Sequence, residues 1–278
     1  MDRTAKEREV YDYNRTAYSL QWLNSSDHRL ASDYYKRDHY QDTMETLLAL
    51  KGTRVLECGI GTGEFFALNL AKSGKSIYGI DFSGILLNDC KTRFAKEDQP
   101  VRLGMADLQR IPFKSETFDI TYSMGVIVFV KDLEMAIQEM VRVTKRGGIV
   151  MFDMMNLWHP SQVINYWYRC IEASRTGFAA IRFLKNVKRR FGFTTNFKTA
   201  PDKVGYRLIS PAAVIRILKR MPVIYKISGY NVLLSLDLPI LGKHANLCTR
   251  FPLFAHGLKN HKILKYFGAK LVITMEKA

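Results

Sequence analysis

Along the first half of the chain, short apolar runs take turns with segments whose apolar positions recur every three or four residues, which is the pattern of strands alternating with helices. The runs at 54–58, 76–81, 101–106, 118–125 and 149–154 are predicted strands. Between them, Glu64 to Lys72 reads as a helix with Phe65, Leu68 and Leu70 inward, stopped by Gly74. Asp132 to Thr144 reads as another, with Leu133, Ala136, Ile137, Met140 and Val143 on one stripe. Lys145-Arg146-Gly147-Gly148 supplies a turn into the fifth strand. Later, Ser210 and Pro211 suit the N-cap and first position of a helix whose Val214, Ile215, Ile217 and Leu218 would face a sheet. Strands at 223–234 and 269–275 complete a set of seven. The lead-in, residues 1–50, is charged and rich in tyrosine, and Met44, Leu47, Leu48 and Leu50 predict an amphipathic helix at its end.

The first strand runs into Glu57-Cys58-Gly59-Ile60-Gly61-Thr62-Gly63. Alternate glycines allow a sharp reversal at a strand's carboxyl end, and they let a ligand approach backbone N–H groups that a Cβ would shield. In open parallel sheets that crevice is where ligands bind. The spacing differs from the G-x-G-x-x-G of dinucleotide binders. The second strand ends in Asp81, with Phe82 and Ser83 behind. A carboxylate there offers both oxygens to ribose hydroxyls, or it caps the next helix. The third strand ends in a further acid, Asp107-Leu108, followed by Ile111-Pro112-Phe113.

Taken together, the acid-x-G-x-G-x-G turn, the tract Ala106-Asp107-Leu108-x-x-Ile111-Pro112-Phe113 and Arg142-Val143-x-Lys145-x-Gly147-Gly148 resemble the class I S-adenosylmethionine-dependent methyltransferases, the quinone-biosynthesis and small-molecule methyltransferases among them. The resemblance implies an α/β fold: a doubly wound, mostly parallel, seven-stranded Rossmann-like sheet with an N-terminal helical lid and a helical insertion after strand five. It implies one domain over 1–278, divided into a lid (1–50), a cofactor-binding core (51–155), a basic and aromatic substrate-side insertion (156–209) and the remainder of the core (210–278). It implies S-adenosyl-L-methionine as cofactor. Gly59, Gly61 and Gly63 would pass beneath its methionine part, with Glu57 near its amino group. Asp81 would hold the ribose with Phe82 beside it, Asp107 and the Leu108 N–H would meet the adenine, and Met124 would lie near the sulfonium. Tyr11 and Tyr18 of the lid would line the substrate pocket.

Charge and cysteine usage bear on partners. The chain carries 42 Lys and Arg against 26 Asp and Glu, a formal +16, which favours an anionic partner. Between Arg182 and Arg220 the one acid is Asp202, so much of the excess lies beside the expected substrate mouth. That tract could attract a phosphate-bearing acceptor, an anionic membrane surface or RNA, or be a solvated basic helix. The four cysteines are scattered, as reduced thiols of a cytoplasmic protein would be, and the histidines lack a metal-ligand spacing. The charged start lacks the apolar core of a signal peptide, and no apolar run is long enough to span a bilayer.

Methyl transfer needs alignment more than a catalytic group, so a base is the least legible part. His159, just past strand five, is the leading candidate, and His28 and His39 in the lid follow. Asp153 reads as a supporting or capping carboxylate. The favoured function is methylation of a small-molecule or lipid-like acceptor at oxygen or carbon, with peripheral contact to an anionic membrane. An RNA-modifying enzyme rests on charge alone, since Ser123-Met124-Gly125-Val126 stands where an Asn-Pro-Pro-Tyr-type tetrad would be. A cofactor-binding scaffold without catalysis is disfavoured by the intact acids at 57, 81 and 107. Oligomeric state is not encoded in these patterns.

Overall fold

A computed structural model of the chain describes residues 31–159, 208–230 and 258–278. Its centre is a seven-stranded sheet in the order β3-β2-β1-β4-β5-β7-β6. The strands are β1 (Arg54–Cys58), β2 (Ser76–Asp81), β3 (Val101–Met105), β4 (Phe118–Ser123), β5 (Thr144–Met155), β6 (Val223–Tyr230) and β7 (Lys270–Lys277). The pairs β1–β2, β1–β4, β2–β3 and β4–β5 are parallel. The described helices are α1 (Ala31–Ala49), α2 (Ala67–Lys72), α3 (Gly84–Lys96), α4 (Leu133–Val143) and α5 (Pro211–Leu218). The described residues divide into two compact units: 31–155, 208–227 and 272–278 in one, 156–159, 228–230 and 258–271 in the other.

The inner strands β1, β2, β4 and the second half of β5 are covered on both faces and carry apolar residues on each, whereas β3 at the edge leaves Arg102 and Met105 exposed. Val55, Leu56, Ile77, Ile80, Ile120, Tyr122, Val150 and Phe152 are all buried. The stripe of α4 packs as its spacing predicts, with Leu133, Ala136, Ile137, Met140 and Val143 buried, and Leu133, Ile137, Met140 and Val143 each contribute roughly 1.5–3 kcal/mol. Asp132 caps it, accepting from the Met135 N–H at 3.0 Å. Ser210 caps α5 in the same way through the Ala213 N–H, and in that helix Val214 and Leu218 are buried while Ile215 and Ile217 are half-covered. At the amino-terminal edge of the sheet, Asp119 accepts from the N–H groups of Thr53 and Arg54 and from Lys145 Nζ, fastening β1, β4 and β5 together.

Three expectations shift. The helix after the glycine turn begins at Ala67, not Glu64, because residues 61–66 are spent on the turn; Phe66 goes inward and Phe65 is exposed. The Lys145–Gly148 turn is a bulge within β5: Phe118 pairs with Thr144 but Ile120 with Ile149, so extra residues are looped out where Gly147 takes φ +69°. Among the described side chains of α1 the buried ones are His39, Thr43 and Leu47, one every four residues, whereas Leu48 is exposed and Met44 and, just past the helix, Leu50 are half-covered. Tyr11, Tyr18, His28, Lys198 and the rest of 160–207, residues 231–234, His244 and His256 lie outside the described residues.

Candidate functional site

The strand order reverses between β1 and β4, so the crevice at their carboxyl ends is the switch point of the sheet. The glycine turn stands there. The N–H groups of Gly59 and Ile60 both donate to the Ile80 carbonyl, at 2.7 and 3.0 Å, which ties the turn to the tip of β2. Gly59, Gly61 and Gly63 all have positive φ, at +79°, +55° and +67°. Two of them have a second reason to be glycine: a Cβ on Gly59 would strike Val126, and one on Gly63 would lie 2.7 Å from Cys90 Sγ and 2.8 Å from Phe94. Around Gly61 there is open space within 4 Å.

The three acids come from three adjacent strand ends, with β1 between β2 and β4 and β3 beyond β2. Asp81 is buried, and each of its oxygens accepts one backbone N–H: Gly61 at 2.8 Å and Ser83 at 2.9 Å. The acid of the second strand thereby positions the turn of the first. Behind it, Phe82 is half-buried and Ser83 caps α3 by accepting from the Leu86 N–H. The Ala106 N–H donates to the Asp81 carbonyl at 3.0 Å and brings the β3 tip alongside. Asp107, half-buried, accepts from the Gln109 N–H at 2.8 Å and from the Gln109 side-chain amide at 3.0 and 3.2 Å. Leu108 is buried next to it.

Glu57 is 6% exposed and accepts from the Tyr122 hydroxyl at 2.8 Å. The contact follows from register, since Glu57 and Tyr122 are paired positions of β1 and β4 and point to one face. Burial, only partly offset by the Tyr122 hydroxyl, raises the Glu57 carboxyl to about 8; the nearby Asp81 charge adds to the rise and the Ala67 N–H counters it. Burial and then the Glu57 charge drive the Tyr122 phenol well above its ordinary value. Burial likewise pushes up the Cys58 thiol, and takes that of Cys90 to about 12, so neither is a thiolate nucleophile.

Past β4, Met124 is buried and Gly125 takes φ +75°. The Gly125 N–H donates to Asp153 Oδ1 at 2.5 Å, and the other oxygen of Asp153 is 3.6 Å from His39 Nε2. Both side chains are at most 2% exposed. The next residue of α1, Tyr40, stacks on Phe65 and packs against Phe66, just behind the glycine turn. Thus α1 reaches both the turn and the end of β5. His159 is buried in the other unit, where its N–H donates to the Asn156 carbonyl at 3.3 Å. The structure therefore gathers Glu57, Gly59, Gly61, Gly63, Asp81, Phe82, Asp107, Leu108 and Met124 within the first unit and adds Tyr122, Gln109 and the His39–Asp153 pair. Tyr122 could have been found from strand register, and Gln109 carries no local sequence signal; Asp153 does act as a supporting carboxylate on the Gly125 N–H, but nothing in the sequence pairs it with His39.

Residues 56–152 match the methyltransferase domain family. A phosphatidylethanolamine N-methyltransferase of Cereibacter sphaeroides is 35% identical over 103 residues, covering 36% of this chain and 50% of that protein. A malonyl-(acyl-carrier protein) O-methyltransferase of Pectobacterium atrosepticum is 27% identical over 164 residues, 57% of this chain and 63% of that one. The chain thus spans between half and two thirds of the length of these curated relatives. Among solved structures, magnesium protoporphyrin IX methyltransferase from Synechocystis PCC 6803 with bound SAH superposes with a TM-score of 0.54 at 13% identity, over 96% of this chain and 97% of that one, a likeness of fold.

Proposed function

We propose that this chain, a member of the class I S-adenosylmethionine-dependent methyltransferases, transfers a methyl group from that cofactor to a small-molecule or lipid-like acceptor. The observation that carries the reading is the set of three carboxyl groups on neighbouring parallel strand tips, wrapped around a glycine turn at the switch point of the sheet. The residues fit the cofactor's chemistry from end to end. Glu57 is a buried carboxyl whose described partners are a hydroxyl and an N–H, a setting that suits the ammonium of the methionine part. Asp81 stands buried at the tip of β2 with its carboxylate fixed by the Gly61 and Ser83 N–H groups, and a carboxylate there suits the two ribose hydroxyls. Asp107 and the Leu108 N–H would serve the adenine edge, with Phe82 flanking, and Met124 would stand near the sulfonium.

The bound cofactor supplies a sulfonium methyl that is already electrophilic. What the protein contributes is alignment and exclusion of water. Gly59 and Gly63 let the backbone come close, and the Gly125 N–H, fixed by Asp153, sets the path of the chain where β4 opens into the crevice. An acceptor hydroxyl or carbon acid must also lose a proton. His39, held against Asp153, is the better placed acceptor for it, because a carboxylate beside an imidazole stabilises the charge that forms. His159 is the second candidate. Lipid-like and small acceptors are supported by the names of the two relatives, one acting on an amine and the other on an oxygen.

The test is incubation with cofactor carrying a deuterated methyl group and fractions of small-molecule and lipid extracts, read by mass spectrometry. A labelled product in a lipid or small-molecule fraction is expected. Label confined to RNA, or cofactor binding with no labelled product in any fraction, would refute the reading. His39→Gln should then slow transfer while leaving cofactor affinity unchanged, whereas equal loss of both would assign His39 to packing.

A further inference from the structure

Residues 258–271 contain no acid and carry Lys259, Lys262, Lys265 and Lys270. Two short 3-10 turns lie within them, Leu258–Asn260 and Leu264–Phe267. Ile263, Leu264 and Phe267 stand in water here at 65%, 39% and 40% exposure. Leaving three large apolar side chains uncovered within five residues is unfavourable unless something covers them.

The backbone beneath these side chains is held from several directions. The Asn156 side-chain amide donates to the carbonyls of Tyr266 and Gly268, at 2.8 and 2.7 Å. His261 Nδ1 accepts from the N–H groups of Ile263 and Leu264, and Ser228 Oγ donates to Asn260. Gly229 lies so close that a Cβ there would run into the Lys265 carbonyl. Leu258 is buried. All of these residues belong to one unit. The apolar side chains are therefore presented on a fixed support.

We propose that this lysine-flanked turn is a docking surface for anionic lipid bilayers, with Ile263, Leu264 and Phe267 entering the boundary between headgroups and acyl chains while Lys262 and Lys265 meet lipid phosphates. The charge pattern selects this occupant. A second copy of the chain, paired about a two-fold axis, would set the same lysines against one another. A nucleic acid would satisfy the lysines and leave the apolar side chains in water. An anionic bilayer takes both, since apolar side chains partition into the interface while neighbouring lysines are drawn to acidic headgroups. The inference is independent of methyl transfer.

The experiment is flotation of the full chain, without cofactor, with vesicles of phosphatidylcholine alone or mixed with phosphatidylglycerol. Binding to the mixed vesicles alone is expected, weakened by salt. Two double variants, Ile263→Ser with Phe267→Ser and Lys262→Gln with Lys265→Gln, should each bind at least about tenfold more weakly, with melting temperature and SAH affinity unchanged. If the serine variant melts early, Ile263→Gln, at the most exposed of the positions, replaces it. Equal binding to both kinds of vesicle, undiminished binding of the serine variant, or a dimer in light scattering that the serine variant dissolves would each overturn the proposal. The second outcome would move membrane contact to the basic tract at 182–220; the third would make the turn a self-association surface.

Discussion

Glu57→Gln is expected to stabilise the empty protein and weaken cofactor binding, two effects that ordinarily run together. The carboxyl titrates at about 8 in the fold and near 4.5 when unfolded, with burial the chief cause. Below pH 4.5 it is protonated in both states and costs nothing. As pH rises from there the unfolded chain releases the proton first, so stability falls, and the loss is complete only above about pH 8. At about 1.4 kcal/mol per pH unit this amounts to at most about 5 kcal/mol. Glutamine has a similar shape and no proton to lose. The two proteins should therefore melt alike near pH 5, and by pH 8 the variant should melt higher by roughly 5–10 °C for a chain of this length.

The assay is a pair of melting curves from pH 5 to 8.5 at fixed ionic strength. Taking their difference removes the groups that titrate in both proteins. Cofactor reverses the order, because an ammonium beside Glu57 favours the ionised form and a glutamine cannot follow. Calorimetry at pH 7 in two buffers of different ionisation enthalpy should therefore report proton release on SAH binding by the natural protein and none by the variant. Parallel melting curves would refute the reasoning, since they would mean that Glu57 is already ionised in the empty fold.

Asp81→Ala should weaken SAH binding at least about tenfold by calorimetry, and unchanged affinity would undo the ribose assignment. Gly63→Ala and Gly61→Ala share a positive φ, but only the first meets a wall, Cys90 and Phe94. Urea denaturation should show about 1 kcal/mol lost at Gly61 and about 2–4 kcal/mol at Gly63; equal losses would mean that backbone strain alone decides. Burial raises the Asp119 carboxyl, but Lys145 and the N–H groups of Arg54 and Thr53 outweigh it and hold the group below its ordinary 3.8. Asp119→Asn should accordingly cost about 1–3 kcal/mol near neutral pH, with the natural protein's advantage present above pH 3.8 and lost as pH falls below it. Denaturation at pH 7 and pH 3 checks this.

The strands and α4 were legible because their causes are local. A buried parallel strand needs a continuous apolar run, a core-facing helix needs a stripe, and Asp132, Ser210 and Pro211 act within one turn of where they stand. The departures arise where a neighbouring element decides. Nothing within Lys145–Gly148 says that β4 will hold it as a bulge. Phe65 and Phe66 are equivalent to a periodicity count, and only the length consumed by the glycine turn turns one inward and the other out.

The same distinction divides the site. Acids at strand tips and alternate glycines are set by the geometry of a single crossover, so Glu57, Asp81 and Asp107 announce themselves within their own segments. The His39–Asp153 contact joins residues more than a hundred positions apart, so the sequence offers one as a candidate base and the other as a supporting carboxylate without pairing them. Helix α1 carried a misleading cue as well. Of the apolar residues near its C-terminal end, Leu47 is buried and Leu48 is exposed, and His39 and Thr43 are buried on the same face as Leu47. Two polar side chains on a buried helical face have a cost that a leucine pair would avoid. At His39 that cost is set against what the ring meets: the carboxylate that fixes Gly125 at the mouth of the crevice.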